Sequence, residues 1–163
     1  PDKDMDSIHP LTSGNFYVGP SPWPPCTPRA CMAILDYYQV PLVGKNVVMV
    51  GYGSVVGRPL TLMLLGERAT VTVCRSTTKN LPAITRQADV ILCAVGKPNL
   101  ITEDMVKDGA VIVDIGINSL EGKLVGDVPE DVKKAKASAY TPVPGGVGVV
   151  SNLMVMETLT RNL

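Results

Sequence analysis

Two periodicities alternate along the chain. Residues 47–50, Val-Val-Met-Val, form a short apolar run without polar alternation, the pattern of a strand buried on both faces of a parallel sheet. Comparable runs at 69–74, where Thr alternates with Val, and at 89–95, 110–115 and 137–141 predict four further strands. Helical spacing separates them. Thr27-Pro28 predicts a helix start, and Cys31, Ile34, Leu35 and Tyr38 follow at i, i+3, i+4 and i+7, predicting an amphipathic helix that ends near Val40-Pro41. Further helices are expected at 55–65, ending before Gly66, at 80–87 with Pro82 in its first turn, and at 131–136, with a single turn from Thr102 to Lys107. The last is expected at 150–161, with Leu153, Met156 and Leu159 or Thr160 inward. Glu121-Gly122-Lys123 predicts a hairpin or an excursion, and Met49, Met63, Met154 and Met156 are expected as core fillers. Strands alternating with helices, without internal repeats, predict an α/β fold with a doubly wound parallel sheet.

Composition narrows the function. At 163 residues, 45% hydrophobic and 18% charged, the chain can build one ordinary core. Its formal charge is zero and it has no basic run, which argues against nucleic acid and anionic membranes as partners. No apolar stretch approaches a membrane span. Residues 1–25 hold six prolines, Pro1, Pro10, Pro20, Pro22, Pro24 and Pro25, and are expected to form an irregular arm continuing from something longer, with a domain over 26–163. Cys26, Cys31, Cys74 and Cys93 have no C-x-x-C spacing and no neighbouring histidine. They are expected as buried free thiols in a reducing compartment, with no metal site; a cytoplasmic location fits, and a mitochondrial one stays open. His9 is the one histidine, and a surface position in a loop is expected for it.

The chemistry gathers after the first predicted strand. Gly51 and Gly53 permit a sharp bend where a ligand's phosphates can approach the backbone, and the following helix directs its first N–H groups at them. The third glycine is Gly57, giving G-x-G-x-x-x-G, one residue longer than the usual dinucleotide fingerprint. After the second strand come Arg75, Ser76 and Thr77, with no Asp or Glu between Ala69 and Lys79. A cation and hydroxyls there suit a ribose phosphate better than a ribose diol, which favours NADP over NAD. Ala94 and Gly96 leave room at the end of the third strand for a cofactor across the top of the sheet. The loop Thr141-Pro-Val-Pro-Gly-Gly-Val-Gly148 precedes a helix and can present N–H groups to an anion or planar ligand.

Several segments in order then carry a resemblance. They are Lys3-Asp4-Met5-Asp6, Pro25-Cys26-Thr27-Pro28, residues 50–59 and 73–80, Ala88-Asp89 with 94–98, Asp114 to Asn118, Gly126-Asp127-Val128 and residues 141–148. Together they resemble the NAD(P)-binding half of the methylenetetrahydrofolate dehydrogenase/cyclohydrolase family over nearly the whole chain. The resemblance implies a Rossmann-like domain that supports hydride transfer from methylenetetrahydrofolate to NAD(P), with a cyclohydrolase activity at the same cleft in the intact protein. It implies cofactor contacts at Gly51, Tyr52, Gly53, Val56, Gly57, Arg75, Ser76, Val95, Gly96 and Ile117, and folate contacts at Asp6, Pro144, Gly145, Gly146 and Ser151. It also implies a folate substrate shared with an N-terminal domain preceding Pro1, and a homodimer.

The departures are specific. The family's catalytic Tyr-x-x-x-Lys pattern is absent, so no catalytic residue is expected in this chain and the fragment alone is expected to be inactive. Tyr52-Gly53 stands where Arg-Ser is usual, removing an arginine suited to a ribose phosphate and leaving NAD open. Val149-Val150-Ser151 replaces Pro-Met-Thr, Ser7 replaces a glycine, and Arg29-Ala30 replaces Leu-Gly. A stand-alone, non-catalytic binding or interaction module on the same fold is the alternative.

Overall fold

The computed structural model describes residues 3–19 and 24–161. Five short strands, β1 (Asn46–Val50), β2 (Thr70–Cys74), β3 (Val90–Cys93), β4 (Ala110–Asp114) and β7 (Ala137–Tyr140), form one sheet in the order β2-β1-β3-β4-β7. Every pair is parallel. β1 and β3 are buried along almost their whole length, as their unbroken apolar sequences require, whereas β2 is an edge strand with its threonines outward. The chain runs from β1 outward to β2 and then returns to the other side of β1 for β3, so the order reverses there. In open α/β sheets ligands collect at the carboxyl ends around such a reversal.

Helices cover both faces. α2 (Cys26–Tyr37), α3 (Gly57–Gly66) and α6 (Val147–Arg161) enclose a core of Cys31, Leu35, Val47, Met49, Leu60, Leu64, Leu92 and Val113. On the opposite face α4 (Leu81–Thr85), a 3-10 turn at Glu103–Met105 and α5 (Glu130–Lys136) cover Val48, Ile91, Ile101 and Ile112. A hairpin of β5 (Asn118–Leu120) and β6 (Lys123–Val125) stands outside the main sheet, where Glu121-Gly122 turns the chain. Arg29 joins α2 to α6 through the Glu157 carboxylate and, at 3.0 Å, the Thr158 hydroxyl. This departure from the family's sequence therefore fastens two helices. All four thiols are free and buried, and burial pushes Cys31 up to about 12.

Several expectations need correction. The stretch expected as an irregular arm holds a helix, α1 (Pro10–Val18). Pro10 occupies its first position, where a missing N–H costs nothing, and His9 caps it by accepting from the Leu11 N–H at Nδ1. Pro1, Pro20 and Pro22 lie outside the described residues. Tyr38 follows the end of α2 and is exposed, and α3 starts at Gly57 rather than at residue 55. In α6 the inward residues are Val147, Val150, Met154 and Thr158, while Leu153, Met156 and Leu159 are exposed. α6 begins three residues earlier than its pattern predicted, and its buried stripe is read from that start. Ser7 has φ +53, the left-handed backbone that explains the glycine usual at this place.

Candidate functional site

The carboxyl ends of the strands form a row, and the sheet order sorts its members. At one edge, after β2, lie Arg75 and Ser76; after β1 comes the glycine turn, after β3 Val95 and Gly96, after β4 Ile117, and after β7 the loop of residues 141–148. The predicted cofactor and folate residues on these loops are thereby ordered along one side of the sheet.

The glycine turn is built by close approach. Gly51 has φ +104, and a Cβ there would stand 2.3 Å from the Ala94 carbonyl oxygen. A Cβ at Gly57 would meet the Gly51 carbonyl oxygen at 2.4 Å, so α3 touches the end of β1 directly. Gly53 differs: a Cβ there would meet nothing within 4 Å, so the fold does not require this glycine. Val56 precedes α3 and no side chain caps the helix; its first N–H groups are largely accounted for within the chain, since Arg58 N–H donates to the Gly53 carbonyl at 3.0 Å, Leu60 N–H donates to the Val56 carbonyl at 2.9 Å and Pro59 has no N–H.

Tyr52 supplies what the glycine spacing does not show. The Arg58 guanidinium lies 5.5 Å from its ring centroid and that of Arg75 lies 5.8 Å from it. One cation comes from the first turn of α3 and the other from the end of β2, and neither pairs with a carboxylate among the described residues. Two like charges share one aromatic ring, and the exposed Ser76 and Thr77 follow Arg75 directly along the chain. Arg58 was missed in the sequence because it precedes Pro59 inside a predicted helix, where an arginine reads as a solvated side chain.

The middle of the row is rigid. Asp127 is completely buried and accepts hydrogen bonds from the backbone N–H groups of Val95, Gly96 and Lys97 at 2.7, 3.1 and 2.8 Å. The amides of the β3 turn are therefore filled by the protein's own carboxylate, and what Val95 and Gly96 offer outward is an exposed isopropyl group and an open glycine. Beneath them Asp114 accepts from Asp127 N–H and Val128 N–H, each at 3.0 Å, and from the buried Lys133 ammonium at 2.8 Å. Burial first, then the Asp127 and Asp114 carboxylates, push the Cys93 thiol well above its ordinary range.

At the far end, Ile117, Pro144, Gly145 and Gly146 line one cavity of about 290 Å³. Gly146 is pressed against the Pro142 carbonyl, where a Cβ would stand 2.4 Å away. Ser151 and Asp6 are held elsewhere, at the start of α2. The Ser151 hydroxyl lies 2.9 Å from that of Thr27, and one Asp6 oxygen accepts from Cys26 N–H at 2.7 Å. Asp6 is half-buried rather than a solvated charge. Among the described residues no helix is long and apolar enough to cross a membrane.

Residues 25–163 match the family described as tetrahydrofolate dehydrogenase/cyclohydrolase, NAD(P)-binding domain. The chain is 47% identical over 161 residues to a bifunctional FolD protein of Dictyoglomus thermophilum, covering 99% of this chain and 57% of that protein. Its fold superposes on a FolD methylenetetrahydrofolate dehydrogenase/cyclohydrolase from Campylobacter jejuni with TM-score 0.94 at 45% identity, covering 98% of this chain and 57% of that one. It also superposes on a Trypanosoma brucei enzyme of the same name, solved with NADP and an inhibitor, with TM-score 0.92 at 37% identity over 99% of this chain and 59% of that one. The chain spans somewhat over half the length of these relatives.

Proposed function

Because the chain belongs to the tetrahydrofolate dehydrogenase/cyclohydrolase family, of which it is an NAD(P)-binding domain, we propose that it holds the dinucleotide during oxidation of methylenetetrahydrofolate by the whole protein. On this reading the cyclohydrolase step and the rest of the folate cleft are assigned to other parts of the whole protein. One observation carries the reading: the pair of guanidiniums around Tyr52, the glycine turn and the Ile117 cavity follow one another in sheet order. An extended ligand with an anion at one end and a planar ring at the other fits that row.

The residues present suit such a ligand. Gly51 and Gly57 let β1, the Ala94 carbonyl and α3 pack closely, Gly53 leaves open space at the turn for a pyrophosphate to approach, and the nearby guanidiniums counter its charge. Arg58, Arg75, Ser76 and the Tyr52 ring suit the 2′-phosphate of NADP. When bound, the nicotinamide supplies the hydride acceptor. Val95, Gly96 and Ile117 shape the slot for it, the loop at Pro144 to Gly146 contributes one wall of the folate site, and Asp6 and Ser151, held apart at the start of α2, are assigned as separate folate contacts. No catalytic acid or base is assigned within the chain.

The groove beside β7, about 390 Å³ and lined by Leu35, Tyr38, Val111 and Tyr140, flanks an unpaired sheet edge. A second copy on that edge would give the homodimer, and light scattering of the purified chain tests it. The buried free thiols suit a reducing, cytoplasmic setting.

Calorimetric titration with NADP and NAD tests the main reading. NADP is expected to bind more tightly. Absence of binding by both at millimolar concentration would reject it in favour of a non-catalytic module, and tighter binding of NAD would reject the phosphate assignment.

A further inference from the structure

Asp127 does something that dinucleotide recognition by itself does not require. Its two oxygens divide five donors: Oδ2 accepts from Val95 N–H, Gly96 N–H and, at 3.5 Å, the Cys93 thiol, while Oδ1 accepts from Lys97 N–H and, at 3.0 Å, the Asn118 amide. No cation pairs with it among the described residues, because the Lys133 ammonium is taken by Asp114. Gly116 lies so close that a Cβ there would stand 2.2 Å from this carboxyl group. One buried charge, held only by amide and thiol dipoles, thus grips the turn after β3 and the segment after β4 together. Well-packed apolar residues hold a fold at least as well as a buried charge does. A carboxylate with convergent donors additionally fixes one spacing between the segments that carry them.

We infer that Asp127 is a positioning residue: by tying residues 95–97 to Asn118 and Gly116 it sets the width of the slot between Val95 and Ile117 and so the grip on the nicotinamide end, without acting on the adenosine end. The inference rests on the cofactor reading above. It differs from a general structural role because the adenosine end, at Tyr52, Arg58 and Arg75, makes no hydrogen bond to this network.

The test compares two ligands by calorimetry on the same chain: NADP, which spans the row, and adenosine 2′,5′-bisphosphate, which reaches only the cationic end. Asp127→Asn keeps the volume but turns an NH₂ toward N–H donors on one side or the other. It is expected to weaken NADP about tenfold, the size of losing charge-assisted hydrogen bonds, and to leave the bisphosphate within roughly twofold. Where that variant does not fold, Asn118→Ala, which removes one donor from a half-buried position, carries the same comparison with an expected loss of about threefold for NADP alone. Parallel weakening of both ligands, or no change in either, overturns the inference. So does a wild-type chain that binds NADP no more tightly than the bisphosphate. A wild-type chain that binds neither overturns the cofactor reading itself, and this inference with it.

Discussion

The two ends of the ligand row are built by opposite means. At the β2 end, Arg58 and Arg75 are exposed around Tyr52, with no carboxylate of the protein beside them. Their countercharge is left for a ligand to bring. At the β3 and β4 ends the donors are already taken: Asp127 fills the amides of residues 95–97, and Asp114 is neutralised by Lys133, all three side chains being buried. The first arrangement is exposed and has little bearing on stability. The second supplies shape and is inseparable from the fold.

The largest effect expected from that contrast is at the rigid end. Asp114→Ala strands three backbone N–H groups, those of Gly116, Asp127 and Val128, and leaves the buried Lys133 ammonium with only the Glu130 carboxylate at 3.9 Å, and is expected to destabilise the chain by about 3–5 kcal/mol in urea unfolding. A loss below about 1 kcal/mol would break the comparison, since such a value belongs to exposed pairs. At the open end, replacing both Arg58 and Arg75 by Ala is expected to weaken NADP about a hundredfold and NAD by far less, with unfolding changed by under about 0.5 kcal/mol. Added salt should erode NADP affinity in the wild type more than in that double variant.

Alkali sharpens the contrast further. Cys31 ionises near 9.0 when unfolded and only at about 12 when folded, so its contribution is complete below pH 9 and is lost as pH rises from there toward 12. The chain is expected to be about 1.4 kcal/mol less stable at pH 10 than at pH 8 through this thiol, and Cys31→Ala should remove that increment from the slope. Cys93, raised in the same direction beside Asp127, adds to the loss at the rigid end. The smallest effect is expected at the opposite, amino end of the sheet. There Lys107 holds the exposed Asp89 carboxyl below its ordinary range, and Lys107→Ala should shift the unfolding midpoint barely measurably, with cofactor affinity unchanged.

How far each feature was legible in the sequence depends on the range of the forces that make it. The five parallel strands, the hairpin at Glu121-Gly122 and the turn at Gly51 follow from short apolar runs and local backbone freedom. Arg75 and Ser76 could be read because they directly follow a strand. The helix within the first 25 residues was obscured by its prolines, although Pro10 at a first helical position is a start signal. The exposed face of α6 was misassigned because a start three residues later turns the apparent stripe.

The sequence by itself determined the alternation of strands and helices, the glycine bend at Gly51 and the family likeness, since each resides in residues close together along the chain. The tertiary structure alone decided that Arg58 joins Arg75 across Tyr52, that Gly53 is free of steric demand, and that Asp127 closes on amides some 30 residues earlier. The physical reason is that a buried charge and a shared aromatic face take their meaning from neighbours that only folding brings within hydrogen-bonding or van der Waals reach.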